Sequence, residues 1–172
     1  MCDYFYMKKS LFKHKIINIG DRTSAINFLS NLENNKSQNE YKIINLGLTK
    51  LNRVCKGKLF RQEAAYVDYS TLKDAMTEVG GKGHHNYHGL TPSEIVDSLR
   101  SVKNSGKVYE SKNNQDTCII VSSIIAECGC PIIVIIALNN TLYGEKNLKI
   151  NKIASLYPKR NLESFLTNLK LK

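Results

Sequence analysis

The sequence predicts an α+β fold: N-terminal helices, then a small antiparallel sheet of about four strands, then a C-terminal helix. Three observations carry that prediction. Helix-start signals and helical spacing of apolar residues concentrate before residue 105. The longest apolar stretch, residues 118–138, is broken in its middle by Glu127, Gly129 and Pro131. Residues 148–157 alternate in the manner of a strand.

Taken in order, Asp21 or Thr23 can cap a helix on which Ala25, Phe28, Leu29 and Leu32 recur at helical spacing. The polar run NNKSQNE at 34–40 ends it and reads as a linker. Residues 49–54 and 70–79 predict two further short helices, the second capped by Ser70 with Leu72, Ala75 and Met76 inward. In Thr91-Pro92-Ser93-Glu94, the threonine can cap, the proline suits the first helical position and the glutamate completes a capping box. Ile95, Leu99 and Val102 then form the apolar stripe of that helix.

Residues 107–112, KVYESK, suggest a short edge strand. CIIVSSIIA and PIIVIIAL follow as two buried strands joined by a tight turn through residues 127–130. The stretch is long enough for a membrane helix, but an acid, a glycine and a proline at its centre argue against one. Residues 148–157, LKINKIASLY, give a further strand between the turn-rich NNTLYGEKN and Pro158.

Composition bounds the function classes. The chain has 172 residues, 42% hydrophobic and 23% charged, which suits one packed domain and sets aside disordered, collagen-like and coiled-coil readings. Its formal net charge is +10, with 11 basic against 4 acidic side chains in residues 1–60 and 7 against 2 in residues 139–172. Basic ends around a near-neutral middle favour a polyanionic partner such as nucleic acid, and would equally suit an acidic protein. The five cysteines have no framework spacing and no secretory signal ahead of them, so a reducing compartment is the simpler expectation. Cys128-Gly129-Cys130 is tighter than the pairs that hold zinc or run thioredoxin-type exchange, and reads as free thiols at a turn.

Two polar constellations suggest chemistry. Three of the four histidines, His84, His85 and His88, fall within the glycine-rich run GGKGHHNYHG at 80–89. Histidine transfers protons in both directions near neutrality, so such a loop suits general acid–base work. Metal binding, phosphate cradling and plain loop hydrogen bonding compete with that reading. His84 and His88 have i, i+4 spacing but no H-E-x-x-H glutamate, and Gly81-Lys82-Gly83 lacks P-loop spacing. On the last strand, Ile153, Ser155, Tyr157 and Lys159 would share one face, and Ala154 and Leu156 the other. With Arg160 beside it, that row could hold a phosphate through two hydroxyl donors and a cation. An ordinary half-exposed strand with a basic end is the plain alternative.

The runs G-H-H-N-Y-H-G-L-T-P at 83–92, C-P-I-I-V-I-I at 130–136 and N-K-I-A-S-L-Y-P-K at 151–159 resemble the toxin-like domains at the C-terminal ends of phage MuF head proteins. Those domains form a phage branch of the barnase–EndoU–colicin–RelE (BECR) nuclease superfamily. The resemblance spans roughly residues 83–160, with a looser echo at 45–76. It implies an N-terminal helical extension over residues 1–40, a BECR-like nuclease domain over 41–172, and metal-independent RNA cleavage with no cofactor. It implies His84 or His85 as an acid–base group, with Ser155, Tyr157 and Lys159 on the sheet side of the site. Lys82, Tyr87, His88 and Arg160 would then bind substrate. The implied partners are RNA, with tRNA a candidate, and an immunity or antitoxin protein, with no membrane. The implied place of action is the cytoplasm of the producing or target cell, reached with a phage particle.

RNA carries its own nucleophile in the 2′-hydroxyl, so a base, an acid and positive charge at the phosphate suffice to yield a 2′,3′-cyclic phosphate. The leading expectation is therefore a ribonuclease toxin. A non-catalytic nucleic-acid or virion-associated binding module of the same fold is the main alternative. A nucleotide-using transferase is a third, for which Glu127 is the one candidate catalytic carboxylate.

Overall fold

A single mixed sheet organises the chain. The computed structural model describes residues 14–36, 40–48, 64–77, 88–104, 108–111, 116–142 and 145–171. Along the sequence run β1 (Lys15–Asn18), α1 (Arg22–Ser30), β2 (Glu40–Ile44), β3 (Ala65–Asp68), α2 (Tyr69–Met76), α3 (Pro92–Ser101), β4 (Val108–Ser111), β5 (Thr117–Ile125), β6 (Pro131–Leu142), β7 (Glu145–Pro158), α4 (Leu162–Leu166) and β8 (Leu169–Leu171). Among the described residues the strands form one eight-stranded sheet in the order β1-β2-β3-β7-β6-β5-β4-β8.

This corrects the expected fold class of N-terminal helices followed by a small antiparallel sheet of about four strands and a C-terminal helix. The sheet has eight strands, begins at Lys15, and is mixed: β1 runs parallel to β2, and β3 parallel to β7. The physical reason is strand length. KIIN, EYKII and AYVD are four or five residues long, too short for a period of two to stand out from a period of 3.6. Their pairing partners lie far away in sequence, so tertiary hydrogen bonding rather than local pattern makes them strands. The helix expected at 49–54 lies outside the described residues, as do residues 37–39 of the polar run.

Elsewhere local chemistry and structure agree. Asp21 caps α1, its side chain accepting from the Ser24 amide at 3.1 Å. At α3 both halves of the capping box form: the Glu94 amide donates to Thr91 Oγ1 at 3.2 Å and the Thr91 amide donates to Glu94 Oε2 at 2.7 Å. Glu94 does more, because its other oxygen accepts the Glu127 amide at 2.8 Å and ties α3 to the β5–β6 turn. That turn is a three-residue loop in which the Gly129 amide donates to Ala126 O, with Gly129 at φ +78°. The expected cap at Ser70 is replaced by Asp68, which makes no side-chain cap bond.

The two faces of the sheet bury different partners. Ile17, Ile43, Val67, Ile120, Val134, Ile136, Ile153 and Leu156 share the main core with Ala25 and Leu29 of α1, Leu72 and Ala75 of α2, and Ile95 and Leu99 of α3. The opposite face packs Tyr109, Ile119 and Ile133 under Leu162, Phe165 and Leu166 of α4. β6 is thus buried on both faces, which is why its sequence is an unbroken Ile/Val run instead of an alternating one.

β7 alone pairs with strands of both halves. Its residues 151–153 lie beside 65–67 of β3, and its other side pairs with β6. Lys152 pins the junction, its ammonium 2.8 Å from Asp68 and 3.3 Å from Glu40, which is only 4% exposed. Burial opposes the Lys152 charge, but the Asp68 and Glu40 carboxylates outweigh it and hold the pKa above the ordinary lysine value.

Two outcomes follow for stability. Glu94→Ala removes half the capping box and the bond to Glu127, so urea denaturation should show a loss of about 1–2 kcal/mol with an unchanged m-value. Lys152→Met removes the ammonium that bridges Glu40 and Asp68 and should cost about 3 kcal/mol in the same measurement, partly restored by adding Glu40→Gln.

Candidate functional site

β3 stops pairing with β7 early. After residue 68 the chain turns into α2, while β7 continues to Pro158 with β6 on one side and, among the described residues, no strand on the other. The exposed edge at residues 154–157, the flank of α2 at Thr71, Asp74 and Ala75, and His88 enclose a cavity of about 380 Å³.

A β-bulge sets which side chains reach it. Ser155 pairs with Ile135 and Ile153 with Ile136, so Ala154 is an extra residue on β7. Strict alternation would have kept Ile153, Ser155 and Tyr157 on one face. The bulge instead leaves Ile153 on the core face with Leu156, at 1% and 3% exposure, and puts Ser155 and Tyr157 on the other. The expected shared face is corrected accordingly. The Lys159 amide donates to Pro131 O at 2.8 Å, which fixes the hydrogen-bonding phase between β7 and β6. Ser155 and Tyr157 then use their backbone groups on β6, and Leu156 directs its amide and carbonyl toward the cavity.

His88 is positioned by backbone. The Gly89 amide donates to Thr77 O at 3.0 Å and the Leu90 amide to Ala75 O at 2.8 Å, clamping this segment onto the end of α2. Gly89 takes φ +61°, a conformation glycine adopts without strain. The imidazole stacks on the Tyr157 ring at 4.9 Å between centroids and 25° between planes. Burial pushes the His88 pKa below the ordinary value, and the nearby Asp74 charge opposes this without overcoming it. Burial likewise pushes the Tyr157 phenol above its ordinary value. Near neutral pH the pair is thus a neutral imidazole, able to accept a proton, against a protonated phenol, able to donate one.

The expected site residues therefore divide. His88, Ser155 and Tyr157 come together at the cavity. Lys159 and Arg160 do not line it: the Lys159 ammonium lies 4.6 Å from the Phe165 ring centroid, and the Arg160 charge acts on the Cys130 thiol, whose ionised form it favours. Lys82, His84, His85 and Tyr87 lie outside the described residues. Glu127 sits exposed in the β5–β6 turn, away from the cavity lining. Among the described residues no group of three or more His, Cys, Asp or Glu side chains converges as a metal site, and no helix is long and apolar enough to cross a membrane.

Sequence reading missed Thr71 and Asp74. Their i, i+3 spacing beside the apolar stripe of α2 was the available signal, but it does not say which sheet edge the helix flanks.

A family model described as the phage MuF-C-terminal domain matches residues 80–171. The match includes His88 and the whole of β7, while Thr71, Asp74 and Ala75 come from the preceding segment. No curated protein and no solved structure matches the chain.

The His88 environment predicts a pH dependence. An imidazole harder to protonate in the folded than in the unfolded state leaves stability intact above the ordinary value of 6.5 and erodes it as pH falls below. The free energy of urea unfolding should decline between about pH 7 and pH 5. His88→Gln should flatten that decline.

Proposed function

This chain belongs to the phage MuF C-terminal domain family, and from that membership we propose that it is a metal-independent ribonuclease toxin of the BECR type. The observation that carries the reading is the His88–Tyr157 stack in the cavity that Ser155 also lines. In the proposed reaction His88, held neutral by burial, removes the proton of the RNA 2′-hydroxyl, and Asp74 stabilises the imidazolium that forms. The 2′-oxygen attacks phosphorus and the bond to the 5′-oxygen breaks. A 2′,3′-cyclic phosphate and a 5′-hydroxyl end result. Tyr157 and Ser155 donate hydrogen bonds to the phosphoryl oxygens as charge builds there. The leaving oxygen takes its proton from His84 or His85, a few positions before His88 in the same glycine-rich run. A net charge of +10 supports a polyanionic substrate. The partners under this reading are RNA and a cognate immunity or antitoxin protein.

Purified protein incubated with total RNA in excess EDTA should generate cyclic-phosphate ends. His88→Ala should slow cleavage by about 100-fold or more. Tyr157→Phe should slow it by roughly 10- to 100-fold, the effect of losing one hydrogen bond to a charged group. His84→Ala and His85→Ala tested in parallel assign the acid. Salt-dependent RNA binding with no cleavage would instead favour the non-catalytic module. Cleavage at parental rate by all three histidine variants would overturn the site.

A further inference from the structure

The proposed reaction makes no use of Cys128-Gly129-Cys130, at the end of the hairpin formed by β5 and β6. The Ala126 amide donates to Cys130 O at 2.9 Å and the Gly129 amide to Ala126 O at 2.8 Å, so the loop through residues 127–129 closes tightly between Ala126 and Cys130. Cys130 Sγ lies 3.8 Å from the Cys128 carbonyl oxygen, folded across the turn toward its neighbour. Cα atoms two residues apart in so tight a loop come within the roughly 4.4–6.8 Å that a disulfide spans. Both thiols are free, Cys128 is exposed and Cys130 half-buried. No heavy atom lies within 4 Å of where a Cβ on Gly129 would sit, so the loop has space to adjust. Cys118, by contrast, is 2% exposed inside the main core and closed to reagents.

We propose that Cys128 and Cys130 are a reversible modification site, a vicinal dithiol that closes to a disulfide by exchange with low-molecular-weight disulfides of the glutathione class. Cys128, the more exposed sulfur, gives up its proton and attacks one sulfur of the reagent. One reagent thiol leaves, takes up a proton, and a mixed disulfide remains on Cys128. Cys130 then gives up its proton and attacks the Cys128 sulfur, expelling the second reagent thiol. The two protein sulfurs are oxidised, the two reagent sulfurs are reduced, and both protons end on the released thiols. Burial and the neighbouring thiol hold the Cys130 pKa up, so the first, intermolecular attack falls to Cys128. A ring closed over a single intervening residue is strained, so the bond is readily reduced, as regulatory disulfides are.

The test uses the full chain, equilibrated with oxidised and reduced glutathione at a series of ratios, acid-quenched, alkylated and digested with a glutamyl-specific protease. Cleavage after Glu127 releases residues 128–145, which carry Cys128 and Cys130 without Cys118. As the buffer becomes more oxidising, that peptide should appear two hydrogens lighter, unalkylated and free of glutathione. Cys130→Ser should abolish the lighter species and arrest with one glutathione bound at Cys128, whereas Cys128→Ser should abolish the lighter species and accumulate far less adduct. Persistence of the dithiol at the most oxidising ratio, a stable mixed disulfide in the parent chain, or linkage between two chains would each overturn the proposal.

Discussion

β7 is the constraint on which the rest of the structure depends. It is 14 residues long, and β3 accompanies it for three. A strand that outruns its neighbour leaves main-chain donors and acceptors facing away from the sheet, and these must meet solvent, another element or a ligand. Here α2 turns off β3 at the point where pairing ends and shields that edge without filling it. The cavity is therefore a consequence of mismatched strand lengths.

The single extra residue at Ala154 has an influence out of proportion to its size. Because strand side chains alternate with period two, one insertion exchanges the faces of everything beyond it. Leu156 goes into the core and Ser155 and Tyr157 go out, so the same bulge serves packing and site. Upstream of it, Lys152 holds the parallel junction by satisfying Glu40 and Asp68, carboxylates that face each other across β2 and β3. An unpaired buried carboxylate would be costly, so the ion pairs fix which strands lie beside one another.

Burial also sets the chemistry. Loss of water around His88 and Tyr157 disfavours charge on either ring, leaving one an acceptor and the other a donor of protons at neutral pH. Stacking of the two rings keeps them in register with the β7 edge. None of this needs a charged partner at hydrogen-bond distance. It needs the loop end to be clamped to α2, which the bonds from Gly89 and Leu90 accomplish through backbone alone.

What the sequence determined by itself is what nearest neighbours along the chain can determine. The Thr91-Pro92-Ser93-Glu94 box starts a helix because its donors and acceptors lie within one turn. The Ile/Val runs at 118–138 form a hairpin because a glycine turn lets adjacent segments pair. Histidines near a glycine-rich bend and hydroxyls on a late strand were visible as chemistry, and His88, Ser155 and Tyr157 do meet. Tertiary structure alone decided that KIIN, EYKII and AYVD are strands, that Ala154 is a bulge, and that Thr71 and Asp74 face the cavity. Each of these depends on a partner dozens of residues away. A four-residue segment gains its conformation from the strand it bonds to, and a bulge exists only relative to the register of its neighbour.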